Sequence, residues 1–257
     1  MEPAIPVIHL NDTITHQVKI VVKDANNNAS TLRFKLKRTA AISSAANIQK
    51  DSRYMLPNQI NIFEQGDVQM VSSEKSFYDA FRFVYNYKTS ATAYSNIHVM
   101  HTPLIPVHDS MMFRIKPNKE IPASASNRVI MIHNSRGKTV VERAALVKGW
   151  YEAKSRDFGE FWLEVDLVPP TLAVAGVVDG GTVGSGTTIT CTVADNKKAI
   201  YSFRAELDGE WLMFSGLGPV YRYRVDEHCP PGEHELKIMV EDEAGNTTER
   251  IIRFTRK

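Results

Sequence analysis

The stretch His16-Gln17-Val18-Lys19-Ile20-Val21-Val22-Lys23-Asp24 recurs without a gap as His234-Glu235-Leu236-Lys237-Ile238-Met239-Val240-Glu241-Asp242. Both copies place apolar residues two apart, Val18, Ile20 and Val22 in one and Leu236, Ile238 and Val240 in the other. That period belongs to a β-strand with one covered face. Each stretch then enters a polar turn, Asp24 to Asn28 or Asp242 to Asn246, and returns with a second apolar pair, Phe34 and Leu36 or Ile252 and Phe254. Each copy therefore reads as an antiparallel hairpin. Gly245 takes a positive φ without steric penalty, and Asn27 at the matching place tolerates it better than most residues. Asp24, Asn28, Asp242, Gly245 and Asn246 are thus read as structural turn residues. One carboxylate and one amide per loop fall short of the roughly six to eight oxygens that calcium takes.

The same alternation fills the space between the hairpins. Strands are expected near 59–63, 68–72, 78–86, 96–101, 111–116, 128–133, 139–141 and 160–165, then near 171–177, 187–194, 199–207, 210–214 and 221–225. The aromatic run Phe81, Phe83, Tyr85, Tyr87 points to a central, well-packed strand. Leu207-Asp208-Gly209-Glu210 reads as a type I′ hairpin turn. Gly180 to Gly186 reads as a flexible turn, because it lacks the Lys and the strand-to-helix setting of a phosphate loop. A short helix at 43–50 is the best helical candidate. The fold class is all-β, built from tandem immunoglobulin-like or fibronectin-III-like β-sandwiches.

The expected division is residues 1–40 as the terminal hairpin of a sandwich, 51–166 as a middle sandwich and 168–257 as a C-terminal immunoglobulin-like sandwich. Val168-Pro169-Pro170 marks the last boundary, since a Pro-Pro pair favours an extended linker. Only about fifteen residues precede the first hairpin, too few for the rest of a sandwich. The expectation is that its beginning lies upstream of Met1; docking of residues 1–38 onto the middle domain is the alternative.

Composition narrows the functional classes. The 257 residues are 43% hydrophobic and 23% charged, with a net charge of +2. Cations interspersed with acids over the chain as a whole give no footprint for nucleic acid, and no apolar run approaches the ~20 residues of a membrane-spanning helix. Cys191 reads as a small buried apolar residue on a strand and Cys229 as an unpaired loop thiol, with a disulfide between them as the alternative.

No constellation for catalysis emerges. His98 and His101 share a face only on a helix, and their surroundings favour a strand; a zinc site from His98, His101, His108 and Asp109 is therefore the weaker reading beside ordinary packed or surface histidines. Neither a metal nor a cofactor is expected. The aromatics Trp150, Tyr151 and Trp211 form the candidate binding surface, since exposed Trp and Tyr stack on sugars or anchor a protein partner. Core packing competes with that reading, more strongly at Trp162 than at Trp211.

The hairpin residues from His16 to Asp24 with Asn28 and Leu32-Arg33-Phe34, together with Gly149-Trp150, Arg156-Asp157-Phe158-Gly159, Val165-Asp166, Pro169-Pro170, Gly232-Glu233-His234 and Asp242-Glu243-Ala244-Gly245-Asn246, resemble the long all-β region that follows the catalytic domain in bacterial lysostaphin-like (LytM-type) murein metallopeptidases. The family's zinc motifs, His-x-x-x-Asp and His-x-His, do not occur among the eight histidines, so no catalytic or zinc residue carries over. The resemblance implies a non-enzymatic accessory region of a peptidoglycan hydrolase in the periplasm or cell envelope, whose partners would be peptidoglycan, an envelope protein and an upstream peptidase domain. An independent adhesion or glycan-binding module is the alternative.

Overall fold

The computed structural model describes residues 10–38, 53–216 and 218–257. Their regular structure is β-strand apart from one 3-10 turn at Ala123–Ala125, and it forms a hairpin and two β-sandwiches. The helix expected at 43–50 lies outside the described residues.

The first unit contains strands β1 (Thr15–Lys23) and β2 (Ala29–Lys37), paired antiparallel with Val18 opposite Phe34 and Ile20 opposite Leu32. Its turn is closed by Asp24, which accepts hydrogen bonds from the Asn28 amide nitrogen at 2.9 Å and from Asn28 Nδ2 at 2.7 Å. Asn27 sits at φ 64°, the positive value required of that position.

The middle sandwich is built from β3 (Tyr54–Met55), β4 (Asn61–Gln65), β5 (Val68–Ser72), β6 (Phe81–Arg82), β7 (Tyr85–Lys88), β8 (Ile97–Met100), β9 (Met111–Ile115), β10 (Val129–Ser135), β11 (Lys138–Arg143), β12 (Ala145–Val147), β13 (Trp150–Ser155) and β14 (Gly159–Val165). One sheet runs β11-β10-β14-β8-β7 and the other β12-β13-β9-β5-β4, all antiparallel, with β3 and β6 as a short extra pair. Alternation turns Val68, Met70, Met111, Phe113, Ile115, Tyr151 and Ala153 inward from one sheet, and Met100, Val129, Met131, Phe161 and Leu163 from the other. Phe113 and Phe161 meet across the two layers, stacked at 4.0 Å between centroids.

Two readings are corrected here. The stretch near 78–86 is not one central strand: β6 pairs with β3, and β7 lies at the edge of its sheet. The reason is aromatic packing at one end of the sandwich. The chain bends so that Phe77, Phe81 and Phe83 all reach Phe158, and His101, at φ 57°, accepts a hydrogen bond from the Val84 amide through Nδ1. Strand β13, by contrast, is absent from the expected strands, where Trp150-Tyr151 reads as a surface aromatic pair; its inward residues, Tyr151 and Ala153, carry the period-two signal.

The C-terminal sandwich comprises β15 (Thr171–Ala175), β16 (Gly181–Val183), β17 (Thr188–Ala194), β18 (Ile200–Leu207), β19 (Glu210–Trp211), β20 (Val220–Arg224), β21 (Gly232–Asp242) and β22 (Thr247–Arg256). A three-stranded sheet β15-β17-β20 faces a five-stranded sheet β16-β22-β21-β18-β19. Phe203 and Tyr221 stack across the layers at 4.0 Å. The Gly180 to Gly186 segment, expected as a flexible turn, contains β16, which pairs parallel to the end of β22 and buries Val183. Cys191 and Cys229 are both free and wholly buried, and burial pushes the Cys191 thiol up to about 12.

The sandwiches are joined through the second hairpin turn. Ala244 at its tip packs on Ile130 and Ile132, which lie on the outer face of the middle sandwich with Val141 and Trp162 beside them. Arg143 donates to Glu241 Oε1 at 2.7 Å and to the carbonyls of Asp242 and Glu243, and its guanidinium covers the Tyr201 ring at 4.0 Å. Arg128 donates to the Ala244 carbonyl at 3.2 Å, and Lys197 pairs with Glu164. Trp162 is thus a packing residue of this junction, donating through Nε1 to Glu164.

Candidate functional site

The three aromatics proposed as a surface separate in the structure. Tyr151 is only 3% exposed and donates its hydroxyl to the Ser126 carbonyl at 3.0 Å, so it is corrected to a core residue. Trp150 alternates to the outer side of β13, where Lys116 Nζ lies 4.4 Å from its ring centroid. Trp211 is 61% exposed.

The local cause of that exposure is the β18–β19 hairpin. Asp208 at φ 53° and Gly209 at φ 87° make the tight turn, with Glu206 paired to Trp211. Strand β19 is two residues long and sits at the edge of its sheet, so Trp211 projects where no further strand covers it. The chain beyond it adds Leu212, directed into the core, and Met213, directed outward. These residues border a cleft of about 460 Å³ whose other lining includes Arg222, Arg224, Asp226 and His228.

The polar side of the cleft is organised by Asp226. The Tyr223 hydroxyl donates to its Oδ1 at 2.7 Å, and the backbone nitrogen of His228 donates to the same oxygen at 3.0 Å. The Tyr223 bond is the main reason the Asp226 carboxyl titrates below its ordinary value. Burial and that bond together raise the Tyr223 hydroxyl. The result is an apolar ledge, Trp211 and Met213, beside a charged wall with two guanidinium groups. A flat π-face next to hydrogen-bonding side chains suits a sugar ring or a polar peptide edge.

The histidines considered for zinc do not converge among the described residues. His98 is buried on β8 with Nδ1 2.9 Å from the Tyr85 hydroxyl, while His108 meets the Tyr78 hydroxyl and Asp109 accepts from Ser73. Two other groups do bring potential ligand atoms within 4.8 Å of one another: Asp226, Glu227 and His228 at the cleft, and Asp166, Asp195 and Asp242 at the junction between the sandwiches. Oxygen-rich sets of this kind match hard divalent cations, although three side chains supply fewer than the about six oxygens calcium takes. At the junction Asn246 Nδ2 donates to the Asp166 carbonyl at 3.0 Å and Asn196 Nδ2 to Asp166 Oδ1 at 3.0 Å. Burial, reinforced by the charges of Asp166 and Asp195, raises the Asp242 carboxyl above its ordinary range despite the hydrogen bonds from Asn246. That meeting has no local signal in the sequence, because the three residues stand far apart in the chain and each sits in an ordinary turn or linker.

Residues 52–166 match the model of the Zu5-like domain family. No curated protein matches the chain. Among solved structures, an endo-β-1,4-mannanase from Thermotoga petrophila aligns over 36% of this chain at 19% identity and a TM-score of 0.31; the alignment spans 20% of the mannanase chain. Fibronectin(III)-like modules of CbhA from Clostridium thermocellum align over 58% of this chain and 84% of their own, at 14% identity and a TM-score of 0.31. A Bacteroides ovatus protein from a mixed-linkage glucan utilization locus, SGBP-B, solved with a mixed-linkage heptasaccharide, aligns over 95% of this chain and 54% of its own, at 10% identity and a TM-score of 0.20. Among the described residues no helix is long and apolar enough to cross a membrane.

Proposed function

We propose that this chain is a non-catalytic accessory region of an envelope-located cell-wall hydrolase, contacting the glycan of the wall through the Trp211 cleft. The observation that carries the contact is Trp211 itself: a large aromatic ring left open at a sheet edge, beside two arginines and an ordered carboxylate. Burying such a ring against a sugar face removes apolar area from water and leaves the guanidinium groups free to bond hydroxyl or carboxylate oxygens. The junction between the two sandwiches, with Ala244 packed against Ile130 and Ile132, would help to hold the cleft in place relative to the middle sandwich. The link to a murein peptidase rests on the sequence resemblance; with neither His-x-x-x-Asp nor His-x-His in this chain, catalysis under this reading would belong to another domain of a parent protein.

Sedimentation with purified peptidoglycan tests the contact. Wild-type chain is expected to be retained, and Trp211→Ala to lose at least about tenfold in affinity, the scale of a central aromatic anchor. Trp150→Ala serves as the matched control and should bind as wild type. Absence of wild-type retention, or equal retention of both variants, overturns the reading. Coding sequence upstream of Met1 tests the origin: an open frame with both zinc motifs supports it, and a stop codon with a promoter removes it.

A further inference from the structure

We infer that the basic face of the first hairpin is a docking surface for a linear phosphodiester polymer that carries no bases. Alternation over β1 and β2 places Thr15, Gln17, Lys19, Val21 and Lys23 on one face with Ala29, Thr31, Arg33, Lys35 and Lys37. Five of these residues are cations, none is an acid, and all five cations are exposed. Lys19 stands directly opposite Arg33, a like-charge pair that a sheet disfavours. Among the described residues none of the five takes part in an ion pair.

The second hairpin is an internal control. Its equivalent face carries Glu233, Glu235, Glu241 and Glu249 with Lys237 and Arg253, and three of these acids are paired: Lys237 lies 2.9 Å from Glu249, Arg253 lies 2.8 Å from Glu235, and Arg143 of the middle sandwich lies 2.7 Å from Glu241. In that copy the opposite, apolar face packs inward and the charged face meets solvent. The same register in the first hairpin sets its basic face opposite its apolar one. Shared geometry with opposite charge means that the hairpin fold does not require the cations.

The distribution of charge selects the partner. The cations span about 26 Å along the ribbon, at about 3.3 Å per residue, which suits an extended chain better than a compact anion. Lysines supply point charges and Arg33 a fork that matches phosphate oxygens. The face holds no aromatic residue, so it lacks the stacking platform used for single-stranded nucleic acid. It also lacks the Trp, Phe or Leu side chains that enter a bilayer interface. A base-free phosphodiester polymer fits what remains. This surface is separate from the Trp211 cleft and can succeed or fail without it.

The test uses the full chain and poly(glycerol phosphate) as the probe, with neutral dextran, single-stranded DNA, duplex DNA and vesicles of anionic phosphatidylglycerol as comparison arms. Wild type is expected to bind poly(glycerol phosphate) at low salt and not dextran. The logarithm of its affinity should fall against the logarithm of salt concentration with a slope approaching about −3.5 if all five cations engage, at roughly −0.7 per phosphate. Replacing Lys19, Lys23, Arg33, Lys35 and Lys37 together by Gln should lower affinity at least about tenfold, while the four-fold Lys→Arg variant keeps it, which separates charge from folding. Trp211→Ala should leave this binding unchanged. No binding at low salt, unaltered binding by the Gln variant, or equal or tighter binding to either DNA or to vesicles would each overturn the inference.

Discussion

The two hairpins share a pairing register and a turn and differ in their surroundings. Val18 pairs with Phe34 as Leu236 pairs with Ile252, and His16 pairs with Leu36 as His234 pairs with Phe254. Asp24 and Asp242 each accept from the amide and the side chain of an asparagine four residues on. Yet Ile20 is 45% exposed, and its counterpart Ile238 is completely buried. The second hairpin has a facing sheet that supplies Ile189, Cys191 and Tyr223, and its turn is plugged into the middle sandwich. Local geometry is therefore not what fixes the value of these residues to stability; the surface across from them does.

The sharpest way to break this comparison is to delete the same side chain in both copies. Ile238→Ala should destabilise the C-terminal sandwich by about 2–5 kcal/mol, the range for a buried Ile replaced by Ala. Ile20→Ala should stay within about 0.5 kcal/mol, as at an exposed site. Urea unfolding followed by tryptophan fluorescence reads the first and amide exchange across β1 and β2 the second; equal costs would mean that the first hairpin is covered in solution.

The turn carboxylates give the next largest contrast. Asp242→Ala removes two hydrogen bonds in a buried junction and should cost about 1–3 kcal/mol. Asp24→Ala breaks equivalent bonds in water and should shift the melting temperature far less. The titration directions also oppose each other: hydrogen bonds from Asn28 lower the Asp24 carboxyl, whereas burial raises that of Asp242. A carboxyl raised on folding binds protons more tightly in the native state. Asp242 therefore detracts from stability as pH climbs from its ordinary value near 3.8 through its native one. Asp24 acts in the reverse sense, and carboxyl chemical shifts of the two residues over an acid titration would show the two directions in one spectrum.

The smallest effect concerns the paired histidines. Burial opposes charge on His234, but the Asp208 hydrogen bond at 2.7 Å and the Pro230 carbonyl at 2.6 Å outweigh it and raise its pKa. The stabilisation is then fully present below about 6.5, the unfolded value, and is lost as pH rises through the native one. The melting-temperature loss from His234→Gln should be larger near pH 5.5 than near pH 8, a difference carried by folding linkage. A loss that does not vary with pH would show that His234 acts through packing alone.

Much of this was legible beforehand, and the reasons are local. Alternation at Leu236, Ile238 and Val240 named the buried face because successive side chains on a strand point to opposite sides. The Asp208-Gly209 turn followed from the positive φ that type I′ geometry needs. What escaped were places where one residue answers to a distant one. Tyr151 passed for a surface ring because nothing nearby in sequence shows that Ser126 accepts its hydroxyl. The aromatic run from Phe81 looked like one strand because its period is correct; Phe158, in another strand connection, pulls it apart.

The sequence by itself determined that the chain is all-β, which face of each hairpin is apolar, where the tight turns fall and that the two hairpins share a register. Each of those properties is decided within a few residues by backbone sterics, side-chain alternation and short hydrogen bonds. Only the tertiary structure decided that among the described residues Ile238 is buried while its twin Ile20 is exposed, that Trp211 is exposed while Tyr151 is enclosed, and that Asp166, Asp195 and Asp242 meet at one junction. Burial and charge proximity depend on what lies across the fold, and a repeat of identical local pattern can meet opposite surroundings.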